Sequence, residues 1–227
     1  MTTLLLDTDQ LKFSRTFHVP WSLGATNDDK VLKSLEHFEG KEVVITEKLD
    51  GENTTMNRVG IHARSLDSKG HWSRERVKQL YNEQIRWKLH MEDQYQEIHR
   101  ICGENMQAKH SIHYTEMEAW FYCFGIFDRR NVCYSWDDMN LFCDELGLKT
   151  APLLWRGIFS WSSFAHNDHY TGVSKLGGIQ EGYVIRLADE FHYDDYGTSV
   201  AKFVRENHVT TDEHWMFSSS VENELKK

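Results

Sequence analysis

Proline is nearly missing from this chain, with only Pro20 and Pro152 among 227 residues. A proline-rich spacer between domains is therefore excluded. No Cys-x-x-Cys pair occurs among Cys102, Cys123, Cys133 and Cys143, so a cysteine-ligated zinc site is not expected. The four thiols read as reduced core residues. No apolar run approaches the roughly 18 residues of a membrane span, and mean hydropathy is -0.61. The opening residues, Met1 to Asp7, lack the basic flank and long apolar core of a secretion signal. Positive charge is also short: 26 Lys and Arg face 35 Asp and Glu, a formal net charge of -9. Averaged over the chain, that balance speaks against a nucleic-acid partner, which needs excess cation.

What is present is a foldable chain. Hydrophobic residues make up 40% and aromatics 13%, with eight Trp, which excludes a disordered polymer. Its length suits a single core. Thirteen histidines include two His-x-x-His pairs, His110 with His113 and His166 with His169. Neither has a second pair to complete a metal site, so they read as surface or core residues.

The pattern of apolar residues predicts a short helix over 28–38, with Val31, Leu32, Leu35 and Phe38 on one face. A strand follows over 42–47 and ends at Lys48. Residues 54–64 read as two short strands turning at Val59 and Gly60. The strongest helix runs 73–90, with Val77, Leu80, Tyr81, Ile85 and Leu89 aligned and Ser73 as its cap. Strands are expected over 98–102, 119–127, 153–155, 182–187 and 199–204. A helix over 136–146 is stopped by Gly147. Residues 218–227 read as a polar tail that frays. Strands and helices mix without regular βαβ alternation, which gives an α+β class and one domain over 1–217.

The sharpest local feature is Glu47-Lys48-Leu49-Asp50-Gly51-Glu52-Asn53. A lysine ends a β-rich run and meets at once a glycine turn dense in carboxylates. Lysine is a nucleophile only when unprotonated, so such a residue needs neighbours that disfavour its charge. Gly51 lets backbone turn tightly beside a bulky ligand.

Lys-x-Asp-Gly resembles the signature of the covalent nucleotidyltransferases: DNA ligases, RNA ligases and mRNA capping enzymes. Asn53 makes it similar to the RNA ligase version. Further segments follow in that family's order. His62-Ala63-Arg64-Ser65 resembles its strand-borne Arg-Ser. Cys102-Gly103-Glu104-Asn105 resembles the Gly-Glu that meets the ribose. Residues 109–114 are similar to a segment common in RNA ligases of phage and bacterial type. Residues 119–128, with Phe124, resemble the motif whose aromatic packs on adenine. Glu181-Gly182-Tyr183-Val184-Ile185-Arg186 resembles the Glu-Gly strand, and Ala201-Lys202-Phe203-Val204-Arg205 the strand whose lysine holds the α-phosphate. The likeness covers residues 45 to 205. Two positions depart from it: Gly125 stands where Asp is commoner, and only Lys202 fills a pair of lysine positions, with Arg205 nearby.

The resemblance implies an ATP-dependent RNA ligase, with ATP as AMP donor and Mg²⁺ or Mn²⁺ as cofactor. It would join 5′-phosphate and 3′-hydroxyl ends through a lysyl-AMP. It implies a nucleotidyltransferase fold of antiparallel sheets flanked by helices, with no separate OB or C-terminal domain. Lys48, Lys202 and Glu181 would be catalytic, and Glu181 would also hold the metal. Glu47, Lys48, Leu49, Asn53, Arg64, Glu104, Phe124, Glu181 and Lys202 would bind the nucleotide. Arg64, Asp50 and Arg205 would meet the polynucleotide. Nearby cations would lower the pKa of Lys48. The expected partners are RNA ends, or DNA or hybrid ends, with no membrane, for a cytoplasmic monomer that repairs RNA in a bacterial cell or phage-infected host. The rival readings are a DNA or RNA-templated DNA ligase, a capping-type guanylyltransferase, and a non-catalytic module that binds nucleic-acid ends. The charge objection softens locally: between residues 57 and 90 eight Lys or Arg stand against three acids, a candidate phosphate footprint.

Overall fold

The computed structural model describes residues 3–67, 70–91, 95, 97–165, 169–206 and 221–227. Its strands are β1 Phe17–His18, β2 Glu42–Lys48, β3 Glu52–Asn57, β4 Gly60–Ala63, β5 Ile98–Asn105, β6 Phe121–Asp128, β7 Val132–Cys133, β8 Lys149–Thr150, β9 Leu153–Ile158, β10 Gly182–Leu187, β11 Phe191–His192 and β12 Val200–Val204. Its helices are α1 Glu75–Leu80, α2 Arg86–Leu89, α3 Trp136–Leu146, α4 Trp161–Ala165 and α5 Tyr196–Ser199.

Two sheets form. The first has the order β1-β12-β10-β2-β9; the second runs β11-β7-β6-β5-β3-β4, with β8 beside β6. Among the described strands, β1 on β12 and β8 on β6 pair parallel and the other pairs are antiparallel. This is the α+β architecture expected from the sequence. Alternation along the strands sorts the first sheet's faces. Val43, Ile45, Tyr183, Ile185, Ala201 and Phe203 point to one side, into a core with Val19, Leu35, Phe38, Phe159 and Phe164. Thr46, Lys48, Val184, Arg186, Val200 and Lys202 point to the other, toward the second sheet, and line a cavity between the two. Val44 joins Met56, Ile101 and Cys123 of the second sheet in a shared core, which fixes one sheet on the other.

The predicted helix over 73–90 forms as a 3-10 turn at Trp72–Arg74, then α1, a π turn over Tyr81–Ile85, and α2. Its buried residues, Val77, Tyr81, Ile85 and Leu89, are spaced four apart. In a regular α-helix that spacing drifts by about 40° per step, and a wider π turn offsets the drift. The cap is His71, whose side chain accepts from the Ser73 amide, in place of Ser73 itself. Helix α3 has the predicted bounds. Ser135 caps its start by accepting from the Asp138 amide, and Gly147 ends it at φ 69°.

Two expectations are corrected. Residues 28–38 are not a helix; only Glu36–Phe38 forms a 3-10 turn. Val31 instead makes a parallel bridge with His18, the His18 amide donating to the Lys30 carbonyl and the Leu32 amide to the His18 carbonyl. That tertiary pairing outcompetes the helical spacing, although Leu35 and Phe38 are buried as expected. The frayed tail is also corrected over 221–227, where Glu222 bridges Ala108 and Leu225 bridges Met117. The domain boundary at 217 lies outside the described residues. Among the described residues, no helix is long and apolar enough to cross a membrane.

Candidate active site

Lys48 is the last residue of β2, and the turn behind it is bound tightly. The Asp50 amide donates to the Tyr114 hydroxyl at 3.0 Å. The Asp50 carboxylate accepts from the amides of Ser111 at 2.7 Å and Ile112 at 2.9 Å. The Gly51 amide donates to Glu104 at 3.2 Å. A Cβ on Gly51 would stand 2.5 Å from the Asn105 carbonyl oxygen and 2.9 Å from the Glu104 Cγ, so only glycine fits. Leu49 anchors the turn in a small core with Met106, Ile112, Tyr114 and Met117.

Register places the partners. Lys48 lies opposite Gly182, so neighbouring Glu181 reaches it, and Lys48 Nζ stands 2.7 Å from Glu181 Oε2. Lys202 pairs with Val184 across β10 and with His18 across β1. It faces the same cavity, of about 450 Å³, as Lys48. The second sheet contributes Asn53, Glu104 and Phe124 to the opposite wall, and Arg64, just past β4, lines it too. Arg64 Nε donates to the Phe13 carbonyl at 3.2 Å. Glu47 and Leu49 also line the cavity. The Glu47 carboxylate accepts from the Lys175 amide at 2.9 Å.

The structure therefore gathers Glu47, Lys48, Leu49, Asn53, Arg64, Glu104, Phe124 and Lys202 around one cavity, while Glu181 does not line it and meets it through its contact with Lys48. Two residues expected at the polynucleotide are placed otherwise. Asp50 does not line the cavity, its carboxylate being spent on two backbone amides. Arg205 does not line it either, and its guanidinium donates to the Glu206 carbonyl. The basic stretch over 57–90 is largely engaged within the fold. Arg58 pairs with Asp7, Arg74 with Glu52 and Arg76 with Glu222, while Lys88 donates to the Glu145 carbonyl. Lys69 lies outside the described residues, as does His166 of the second histidine pair.

Sequence reasoning missed a whole wall. Phe13, Arg15, Thr16, Asp28, Asp29 and Lys30 line the same cavity. Phe13 stands edge-on to Phe124 and Tyr196, each at 5.3 Å between ring centres. Buried His18 sits 3.5 Å from Asp29. Burial, then Lys202, pushes its pKa down to about 4, so it is neutral. No periodic signal marks this stretch, since β1 is two residues long.

Electrostatics correct one more expectation. Burial disfavours the Lys48 ammonium, but Glu181, Glu104 and Asp50 together outweigh it and raise its pKa. Lys48 is therefore held charged in the free protein. Lys202 goes the opposite way, lowered by burial and then by Lys48. Burial raises Glu181 against the pull of Lys48. Glu104 is pushed up to about 8, by burial first and then by Glu181 and Asp50, Lys48 opposing.

The Glu104 shift has a measurable consequence. Unfolded, Glu104 loses its proton near its ordinary 4.5; folded, it keeps it to about 8. Between those values the folded chain holds the extra proton. The stability from this group is full below the lower value and is lost as pH rises through the upper one. Glu104→Gln should thus raise the melting temperature by a few degrees near about pH 8.5 and leave it unchanged near about pH 5. A variant that melts lower than wild type at the alkaline pH would show the carboxylate to be ionised and well paired.

Two largely antiparallel sheets meeting over a cleft, with a strand-end lysine in it, is the architecture of the covalent nucleotidyltransferase fold. Within that class, the family model for RNA ligase matches residues 41–204, and the chain belongs to the RNA ligase family. No curated protein matches it by sequence. Among solved structures it is similar to Naegleria gruberi RNA ligase. A mutant of that ligase with ATP and Mn superposes with TM-score 0.56 at 15% identity, over 86% of this chain and 56% of that one. A second mutant with ATP and Mn gives 0.55 at 15% identity, over 90% and 62%. The form with pyrophosphate gives 0.54, again at 15%, over 86% and 56%. The likeness at that identity is one of fold, and this chain spans less than two thirds of the length of those ligases.

Proposed function

We propose that this chain is an ATP-dependent RNA ligase that works through a covalent lysyl-AMP. The observation that carries the reading is the joint placement of Lys48, Glu181 and Lys202. A strand-end lysine stands 2.7 Å from a buried carboxylate, with a second lysine facing the same cavity.

In the first step Lys48 Nζ bonds to the α-phosphorus of ATP. The bond from that phosphorus to the bridging oxygen breaks, pyrophosphate leaves, and Nζ loses a proton. In the second, an oxygen of a 5′-phosphate bonds to the AMP phosphorus, the Nζ–P bond breaks, and Lys48 leaves as the amine, regaining a proton. In the third, a 3′-hydroxyl attacks that phosphate and AMP leaves. Each is an in-line phosphoryl transfer, so positioning and charge stabilisation dominate. Lys202 opposes the charge that builds on the α-phosphate. Phe124, with Phe13 edge-on to it, offers an apolar face for adenine. Glu104 accepts from ribose hydroxyls, and Arg64 grips phosphate.

The residues fit a divalent ion. Glu181 is a buried carboxyl 2.7 Å from Lys48, where an ion bound with ATP could take it as a ligand. Among the described residues no three ligating side chains stand together. Mg²⁺ takes one or two carboxylates and completes its shell with water and phosphate oxygens, and Glu181 could supply one of them. Such an ion, bound with ATP at Glu181, would draw that carboxylate from the Lys48 ammonium and so lower its pKa.

The test is adenylylation. Protein mixed with ATP labelled at the α-phosphate and Mg²⁺ should acquire AMP, and chelating the metal should reduce labelling to background. Labelling by GTP in preference to ATP would favour a capping-type transferase. End binding with no AMP transfer would favour a non-catalytic module. A sealing panel with ribose or deoxyribose on each side of the junction then fixes whether RNA repair is the task.

A further inference from the structure

Residues 106–117 have little regular structure of their own, yet they hold the nucleophile turn. Tyr114 accepts from the Asp50 amide, and Ser111 and Ile112 bind its carboxylate. The segment borrows much of its own backbone pairing from the last residues of the chain. Lys109 donates to the Val221 carbonyl, Met117 to that of Glu224, and Lys226 to that of Met117. At the centre is Asn223, 2% exposed. Its Oδ1 accepts from the Tyr114 amide at 2.9 Å, and its Nδ2 donates to the carbonyls of Met106 at 2.8 Å and Ala108 at 3.2 Å. The Asn223 amide donates to Gln107 and the Glu224 amide to the Tyr114 carbonyl.

We infer that residues 221–225 are a clip that positions the lysine turn, with Asn223 as its positioning residue. The chain of contact is short: Asn223 fixes the Tyr114 backbone, the Tyr114 hydroxyl fixes the Asp50 amide, and Asp50 stands two residues from Lys48. A buried amide side chain with its carbonyl and both its donors satisfied is a rigid support. The clip touches chemistry only through the turn, because neither 106–117 nor 221–225 lines the nucleotide cavity. Its catalytic consequence rests on the ligase reading above. It also gives the segment over 109–114, singled out in the sequence, a physical task.

The test compares wild type with Asn223→Ala, Tyr114→Phe and the double variant. The rate of adenylylation at saturating ATP should fall by about 10-fold to 100-fold in each single variant, as a small misplacement of a reacting group does. The ATP concentration for half-saturation should move by less than about threefold, since the cavity keeps its lining. The double variant should lose less than the product of the single losses, because both act on one turn. Amide hydrogen exchange at Asp50 and Gly51 should quicken in Asn223→Ala while the sheet amides stay protected. Should Asn223→Ala not fold, Tyr114→Phe carries the same exchange and rate measurements. Wild-type rates, strictly multiplicative losses, or unchanged exchange at Asp50 and Gly51 would overturn the clip. Exchange needs no activity, so a wild-type chain that never takes up AMP would sink the ligase reading and still leave the clip decided.

Discussion

Lys48→Ala should abolish AMP uptake, a fall of at least about 10⁴-fold and to background in practice. The new bond forms at Lys48 Nζ, and Lys202, the other lysine of the strand floor, is the residue placed to hold phosphate. Lys48→Arg should be equally dead, because a guanidinium is never deprotonated at working pH. The variant should still fold in mildly acidic buffer. Lys48 lowers the pKa of both Glu181 and Glu104. Without it both carboxyls stay protonated to higher pH, so neither is left as an unpaired buried carboxylate below about pH 7. ATP binding at that pH, measured calorimetrically, should therefore persist. The last step needs no lysyl bond, so Lys48→Ala should still seal RNA whose 5′ end is already adenylylated. Continued labelling of Lys48→Ala at the wild-type rate would end the assignment of this lysine. Loss of labelling together with loss of ATP binding would mean that the fold had failed and not the chemistry.

How much of this site was legible follows from where its residues sit. Strand β2 and helix α3 were read nearly to the residue. Their signals are local: a β-branched run in Val43, Val44 and Ile45, a Ser135 cap, and Gly147 past the end. Lys48, Glu181 and Lys202 were legible as motifs because each sits on a strand or, for Glu181, at the residue just before one, and strand register then brings them together. The wall from Phe13 to Lys30 was not legible. It crosses the cavity with one two-residue strand, and its contacts to Phe124, Tyr196 and Lys202 lie far along the chain. The helix expected over 28–38 failed for the same reason, since the bridge from Val31 to His18 is tertiary. Polar residues at a chain end usually fray, yet Asn223 is buried because residues 106–117 leave amides that need partners. Asp50 carries the sharpest lesson. Its place in the motif suggested a ligand contact, and its geometry makes it the brace of the turn.

Lys202→Ala should slow adenylylation by about 10²-fold to 10³-fold, the usual loss when one preorganised charge is withdrawn from a developing oxyanion. Lys202 is costly to keep. It is lowered by burial and by the Lys48 charge, and the carboxyls of Asp29 and Glu181 offset this only in part. A cation held against its own solvation is poorly matched to the empty cavity and well matched to one that holds a phosphate. The variant should consequently melt no lower than wild type, because it removes a like charge from the neighbourhood of Lys48. Lys202→Arg should recover less than the full rate, as a planar fork cannot replace a compact ammonium on a strand packed beside β1 and β10. The pH profile separates this role from a structural one. In the free protein the pKa of Lys202 is lowered and that of Lys48 raised. In the ATP complex a metal at Glu181 lowers Lys48 and the bound phosphate raises Lys202. Wild-type activity at saturating ATP should therefore rise as Lys48 gives up its proton and fall again as Lys202 loses its own, a bell. In Lys202→Ala the alkaline fall should vanish while the rise remains. A variant within about threefold of the wild-type rate, or one that keeps the alkaline limb, would take the α-phosphate away from Lys202 and leave Arg15, Lys30 or Arg64 of the same cavity as its holder.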